Sequence, residues 1–332
     1  MTAAGQENQP LPITTGTPRG MPQVARARRR WRPKTSWLTQ GLFVVLLAGL
    51  AVLFIYPFLW LVSASLKPKG ETFDNKLIPA HWAWNFTGPD RPIPYTQYLF
   101  NVAPVARWFF NSFWISGLAA LAVTLSSAMV AFSFAYFRFP LRNFLFAILL
   151  ATMMLPGEVT MIPVYLLWNE IGRFTLDHPV LPHIGTGTQY PLWVPNMFGS
   201  AFYIFLQRQF FLGIPRDYFE AARMDGDGYF SMFRRIALPL AKPALIVTFI
   251  FEIQAKWFDL MTPLIYLRDQ ALFTLPLGIK TILDRFGAGG GGEGEWHIIV
   301  TATLLLTLPM IVIFAIFQRY FIEGIATQGR KG

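Results

Sequence analysis

The sequence predicts an all-α integral membrane protein with six transmembrane helices and a cytoplasmic helix-turn-helix loop between spans 4 and 5. Three observations carry that expectation. Only 14% of the 332 residues are charged and the mean hydropathy is +0.41, against about 25% charged for a soluble domain. The apolar residues collect into six runs, each near or above the ~20 residues that a helix needs to cross a bilayer. One polar, strongly patterned stretch interrupts them between the fourth run and the fifth.

In chain order, residues 1–36 carry Pro, Gly, Thr and Gln and then the basic cluster Arg26, Arg28, Arg29, Arg30, Arg32 and Lys34. This composition reads as a disordered basic cytoplasmic tail. Its position just before an apolar run favours a topology signal over a site for nucleic acid or anionic lipid. The first run starts near Trp37 and is long enough to remain as a span, so no cleaved signal is expected. The six runs are Trp37 to Leu61, Trp108 to Phe137, Phe144 to Leu167, Leu192 to Phe211, Ala244 to Ile265 and Ile298 to Phe321. Pro195, Asn196 and Gly199 interrupt the fourth. Residues 37–321 thus make the membrane domain and 322–332 a cytoplasmic C-terminal tail.

Lysine and arginine orient these spans. With the N-terminus inside, the inner segments hold 18 and the outer segments 9, over similar lengths of 93 and 98 residues. The bias follows the positive-inside rule and puts both termini, with the polar loop, in the cytoplasm. The first outer segment, Lys67 to Arg107, contains Trp82, Trp84, Pro89, Pro92 and Pro94; it reads equally as a fold over the outer mouth and as an irregular surface loop.

The loop at 213–243 has its own logic. Pro215 suits a first helical position, Asp217 the positive helix end, and Gly226 a left-handed stop. Asp227 then suits a cap for a second helix. Tyr229, Phe230, Phe233 and Ile236 give that helix an apolar face until Pro239 and Pro243 end it.

Within this loop stand Glu220-Ala221-Ala222, then Asp225-Gly226, then Ile236-Ala237-Leu238-Pro239. The pattern resembles the signature loop of the permease subunits of ABC importers. Ser65-Leu-Lys-Pro68, Asn111-Ser112, Ser133-Phe-Ala-Tyr-Phe-Arg-Phe-Pro140, Leu155-Pro-Gly-Glu-Val-Thr-Met-Ile-Pro163, Trp257-Phe-Asp259 and Gln318-Arg-Tyr-Phe-Ile-Glu-Gly324 resemble its carbohydrate branch, of the maltose-transporter type. The resemblance runs from about residue 40 to the end. It implies an inner-membrane location in a prokaryote, a second and unlike permease subunit, two cytoplasmic ATPase subunits, an extracytoplasmic solute-binding protein and a sugar substrate. It also implies that Glu220, Ala221, Ala222, Asp225, Gly226, Tyr229, Phe230, Phe233, Ile236, Leu238 and Pro239 form the ATPase-coupling element, with Ala221 and Ala222 keeping its surface low. The tail after Gly324 is implied to reach the interface between the ATPases. Two departures stand out: the basic N-terminal extension and the Gly-rich stretch 287–292, a spacer or a contact for a binding protein.

Ionisable groups at membrane depth are costly and mark candidate translocation residues. Glu252, Lys256 and Asp259 are spaced by four and three, which places them on one helical face, where Lys256 can pair with either acid. That face reads as part of the path or as a self-neutralised structural cluster. Glu158 follows Pro156 and Gly157 and reads either as a path residue or as a cap of the restarted helix.

Catalytic chemistry is not expected. His81, His178, His183 and His297 lack metal-ligand spacing, and no phosphate-binding Gly-rich loop ends in Gly-Lys-Ser or Gly-Lys-Thr. No cofactor or metal is expected on this chain; ATP and Mg belong to the partner ATPase. Basic residues spread between apolar runs argue against nucleic acid, and the absence of cysteine removes thiol and disulfide chemistry. The rival reading is an ion-coupled secondary transporter using the charged face of span 5, which leaves the patterned loop unexplained.

Overall fold

The computed structural model describes residues 37–67, 71–78, 99–100, 103–178, 180–287 and 296–328, with backbone alone at 38 and 319–328. The basic tail, the Trp82 and Trp84 loop, His81, Gly-rich positions 288–292 and the last residues of the C-terminal tail lie outside the described residues. Two units are distinguished, one up to Ile55 and one from Tyr56 onward.

No strand occurs among the described residues. Among the described residues, three helices are long and apolar enough to cross a membrane: α1 (Trp37–Ser65), α2 (Val105–Tyr136) and the helix at the C-terminal end described below. Mean hydropathies of 2.7, 1.9 and 2.6 over their apolar parts explain why they exist: each is apolar on all sides, as lipid or protein burial requires.

The remaining runs are broken. α3 (Arg142–Thr152) and α4 (Gly157–Asp177) meet at an angle of 98°, because Pro156 removes a donor and restricts the residue before it. The expected fourth span is not one helix. It consists of α5 (Tyr190–Trp193), a 3-10 turn (Val194–Phe198) and α6 (Ala201–Leu212). Pro195 and the left-handed Gly199, at φ 82°, divide it.

The loop contains α7 (Asp217–Met224), α8 (Tyr229–Met232), a π turn (Phe233–Ala237) and α9 (Leu238–Leu240). The stretch Tyr229–Leu240 then bends by 78° into α10 (Lys242–Trp257). α10 stops at Trp257 and the chain restarts as α11 (Met261–Tyr266), so the fifth run is also shorter than the sequence implies. α12 (Leu275–Phe286) and α13 (Trp296–Gln328) complete the chain, and α13 contains the sixth run. Among the described residues three spans are thus continuous, or up to five if each bent pair counts as one.

The packed unit is centred on α2. Ser112, Ser116, Ala119, Ala120, Ser127, Ala128, Ala131 and Ala135 are all buried, and their small side chains let α6 and α10 approach closely, as in other membrane helix pairs. Around one end of α2, Trp108, Trp168, Trp257, Leu275 and Ile298 form one core. Trp108 Nε1 donates to the Gln270 carbonyl at 2.8 Å and Trp257 Nε1 to the Leu306 carbonyl at 2.9 Å, so both indoles are satisfied while buried. Around the other end, Phe132 gathers Ile204, Phe211, Phe219, Met232 and Phe233 into a second core.

Gly278 lies directly against the Trp108 ring, and a side chain there would overlap it. Gly278→Ala should cost about 1–3 kcal/mol by overpacking and lower the unfolding midpoint of the purified protein by about 5 °C. Gly117→Ala, where no atom lies within 4 Å of an added Cβ, should not lower it. Equal midpoints for the two variants would refute the close approach.

Candidate functional site

The polar loop is anchored on one face and open on the other. Arg216 O accepts from the N–H groups of Phe219 and Glu220 at 2.9 and 3.0 Å, so α7 starts at Asp217. Pro215 therefore stands ahead of the helix and not in its first position. At the other end Gly226 N–H donates to Arg223 O at 3.1 Å and Asp227 N–H to Ala222 O at 2.9 Å, with Gly226 at φ 85°. These two bonds are a Schellman stop, which favours glycine at the left-handed position. Asp227 does not cap α8; its carboxylate accepts from Ser231 Oγ at 2.9 Å and pairs with Arg235 at 3.6 Å.

Phe219, Ala222, Met232, Phe233 and Ala237 are buried. The Phe132 ring receives this face, with centroids 5.9 Å from Phe219 and 5.3 Å from Phe233, and Phe211 of α6 is 5.9 Å away on another side. Ala222 thus corrects the expectation of a low outer surface: its small side chain serves the approach to the core, and only Ala221 is on the open side. Phe233 is likewise an anchor. Glu220, Ala221, Asp225, Gly226, Tyr229, Phe230 and Pro239 are exposed, while Ile236 and Leu238 are half-buried. Met224, exposed at 88%, joins the open face. Its sequence position beside Asp225-Gly226 was the available signal.

Glu220 forms no ion pair with Arg223 among the described residues. The Arg223 guanidinium instead sits 5.9 Å from the Tyr229 ring centroid. Glu220 shares a cavity of about 330 Å³ with Arg138, Arg216 and Arg223. Arg216 and Arg223 flank Glu220 locally, four positions before it and three after, so a Glu220–Arg223 pair was open to sequence reading; Arg138, from the link after α2, is brought in only by folding.

The candidate path residues do not form one face. Glu252 is buried and accepts a hydrogen bond from Asn196 Nδ2, and Tyr203 interacts with the same carboxylate. Asp259 lies beyond the end of α10, where its carboxylate accepts the Thr262 N–H at 3.0 Å. No ion pair joins Lys256 to either acid among the described residues, so of the two readings of this face the self-neutralised triplet does not form there. The helix break at Trp257 takes Asp259 off the face, since shared spacing holds only while the helix continues; Glu252 and Lys256 remain four apart on α10, where Glu252 is engaged by Asn196 instead.

Lys256 instead lines a cavity of about 380 Å³ with Glu158, Thr160, Pro195, Thr262 and Tyr266. Two of the four candidates are therefore brought together from α4 and α10, and Glu252 and Asp259 do not line this cavity. Glu158 stands in the first turn of α4, where the helix dipole favours a carboxylate.

A polar seam ties the broken fourth run to its neighbours. Ser126 Oγ donates to Asn196 O at 3.2 Å, and Ser200 N–H donates to Ser127 Oγ at 3.1 Å. Gln207 Nε2 donates to Thr248 Oγ1 at 3.1 Å and to Thr124 O at 3.3 Å. Asn196 was read from sequence only as an interruption; its role as the partner of Glu252 is tertiary.

Long apolar helices, a charged cavity lined by three of the broken runs, and a loop anchored on one face and open on the other define a membrane transport component. The model of the family described as "Binding-protein-dependent transport system inner membrane component" matches residues 123–327. The chain is similar to the arabinooligosaccharides transport system permease protein AraQ of Bacillus subtilis, 34% identical over 287 residues that cover 85% of this chain and 92% of that protein. It is similar to the sn-glycerol-3-phosphate transport system permease protein UgpE of Escherichia coli K12, 30% identical over 301 residues covering 87% and 96%. A solved bacterial ABC transporter involved in the import of the acidic polysaccharide alginate shares the fold, with TM-score 0.68, 18% identity and coverage of 86% of this chain and 96% of that one. The chain belongs to the binding-protein-dependent inner membrane component family. It is a permease subunit of an ABC importer, a transport component and not a catalyst. The ion-coupled alternative gains no support, since its proposed coupling face is divided and Glu252 is already engaged.

Glu252→Gln should leave stability nearly unchanged, because the amide still accepts from Asn196. Asn196→Leu, which leaves the buried carboxylate without that donor, should cost about 1–3 kcal/mol, read as a lower unfolding midpoint in detergent. The reverse order of the two variants would refute the seam.

Proposed function

We propose that this chain forms half of the translocation pore of a sugar or oligosaccharide importer and receives its driving force through residues 213–243. In this reading six spans cross the membrane, the broken segment Tyr190–Leu212 serving as the fourth, and both termini and the loop are cytoplasmic. The excess of Lys and Arg in the inner segments supports that orientation. A second, unlike permease completes the pore. A solute-binding protein delivers substrate from outside, and two ATPase subunits hold ATP and Mg on the cytoplasmic side.

The observation that carries the coupling role is the two-faced loop. Glu220, Ala221, Asp225, Tyr229 and Phe230 are exposed while Phe219, Ala222, Met232 and Phe233 lock the loop to Phe132. A partner gripping the open face moves a body already packed against α2 and α6. Well-packed cores shift between discrete arrangements more readily than they stretch, so such a movement reaches the spans. The short tail after Gly324 adds a second contact at the ATPase interface.

Support for the substrate class comes from the relatives, whose named cargoes are arabinooligosaccharides and sn-glycerol-3-phosphate, and from the alginate importer. The cavity holding Glu158 and Lys256 is the proposed path, since it offers one acid, one base, hydroxyls and the Tyr266 ring to a polar cargo.

In proteoliposomes of the assembled transporter, Gly226→Pro and Glu220→Trp should each abolish uptake and uncouple ATP hydrolysis from the binding protein, with the protein still inserted. Continued uptake by either variant would exclude docking at this loop. Lys256→Ala should lower uptake without loss of subunit assembly; normal uptake would remove Lys256 from the path.

A further inference from the structure

A second charged site lies where α2 turns into α3. We propose that Arg138, Arg142 and Arg208 hold the phosphate of an anionic phospholipid headgroup there. Arg138 borders both this site and the cavity beside Glu220, but Arg142 and Arg208 do not line the latter, so the failure of a test made on those two would leave the reading of 213–243 intact.

The three arginines come from the α2–α3 link, the first residue of α3 and α6. Arg208 is packed on the first turns of the helix that Arg142 begins, since its guanidinium lies over the ring of Phe146, four residues after Arg142. Each is held in place by a neutral partner. The Arg142 guanidinium donates to Phe137 O at 3.3 Å, and Arg208 Nε donates to Phe134 O at 3.4 Å. Arg208 also lies over the Phe146 ring, 4.1 Å from its centroid. Each of these guanidinium groups thereby uses one N–H and keeps the others for a further acceptor. None of the three arginines forms an ion pair among the described residues. Arg138 also borders the cavity that holds Glu220, whereas Arg142 and Arg208 pair with no carboxylate among the described residues; like charges held so raise the local potential and favour an anion.

The surroundings identify the anion. Arg138, Phe139, Leu141, Arg142, Asn143 and Phe144 line a cavity of about 330 Å³. The helix that starts there, α3, buries none of its residues within this chain, and Phe144, Leu145 and Ile148 are exposed. In a membrane-spanning chain such a helix meets acyl chains, and its charged first turn then falls at headgroup level, where arginines bind lipid phosphate. A small soluble anion accounts for the charge but not for the exposed Phe144 and Leu145 beside it. The dipole of α3, whose first turn has no side-chain cap, adds to the positive potential.

The test uses the full-length protein in mild detergent with phosphatidylglycerol or phosphatidylcholine added in known amounts, and counts bound lipid by native mass spectrometry. The wild type should retain phosphatidylglycerol in preference to phosphatidylcholine. The double variant Arg142→Gln with Arg208→Gln should weaken phosphatidylglycerol retention about thirtyfold, the effect of two lost charges at an anionic lipid. Arg142→Lys with Arg208→Lys should keep the preference, and Arg173→Gln, whose parent residue pairs with Glu170 at 3.0 Å, should not alter it. Equal retention of the two lipids by the wild type overturns the proposal. So does full retention by the glutamine variant, loss of the preference in the lysine variant, or displacement of phosphatidylglycerol by millimolar inorganic phosphate, which would mark a site for a small free anion.

Discussion

The close approach permitted by the small residues of α2 is the constraint on which the packed unit depends. Within a bilayer, helices gain little from burying apolar surface against each other, because lipid is equally apolar. What holds them is dispersion over a matched surface, and that requires backbones to come near. Ser112, Ser116, Ala120, Ala128, Ala131 and Ala135 provide such a surface along α2. Large rings are reserved for its ends, Trp108 at one and Phe132 at the other. A larger residue in the middle would separate α6 and α10 together, since both lean on the same face.

The broken helices follow a second constraint. A chain that leaves helical geometry inside a membrane exposes N–H and C=O groups that water cannot reach, each costing several kcal/mol. The break at Val194–Gly199 is tolerated because α2 supplies hydroxyls on the facing side: Ser126 takes up Asn196 O and Ser127 takes the Ser200 N–H. Asn196 in turn satisfies Glu252. Break, serines and buried acid therefore form one hydrogen-bonded arrangement. At the fifth run, Asp259 does the same for the restart at α11 by accepting the Thr262 N–H.

The loop between α6 and α10 illustrates how rigidity and access are separated along the chain. Residues whose side chains point inward fix the loop to the end of α2, and those between them remain available. The Schellman stop at Gly226 sets the angle between the two halves. Because Phe132 touches both Phe219 and Phe233, α7 and the turn after α8 move as one body with α2. Force applied to the open face has few soft elements in which to dissipate before it reaches α6 and α10.

Composition, the six apolar runs and the Glu220–Pro239 pattern were enough to read the membrane class, the helical fold and the family, because hydrophobic length and local turn chemistry are properties of consecutive residues. The stop at Gly226 and the breaks at Pro156 and Pro195 were legible for the same reason. Which helical faces survive was not. Glu252, Lys256 and Asp259 share a face only on an unbroken helix, and α10 ends at Trp257. The folded chain alone assigned Glu252 to Asn196, Lys256 to a cavity with Glu158, and Ala222 to the core. Such pairings join residues far apart in the chain, and their partners are selected by how closely helices approach, a quantity that no local spacing encodes.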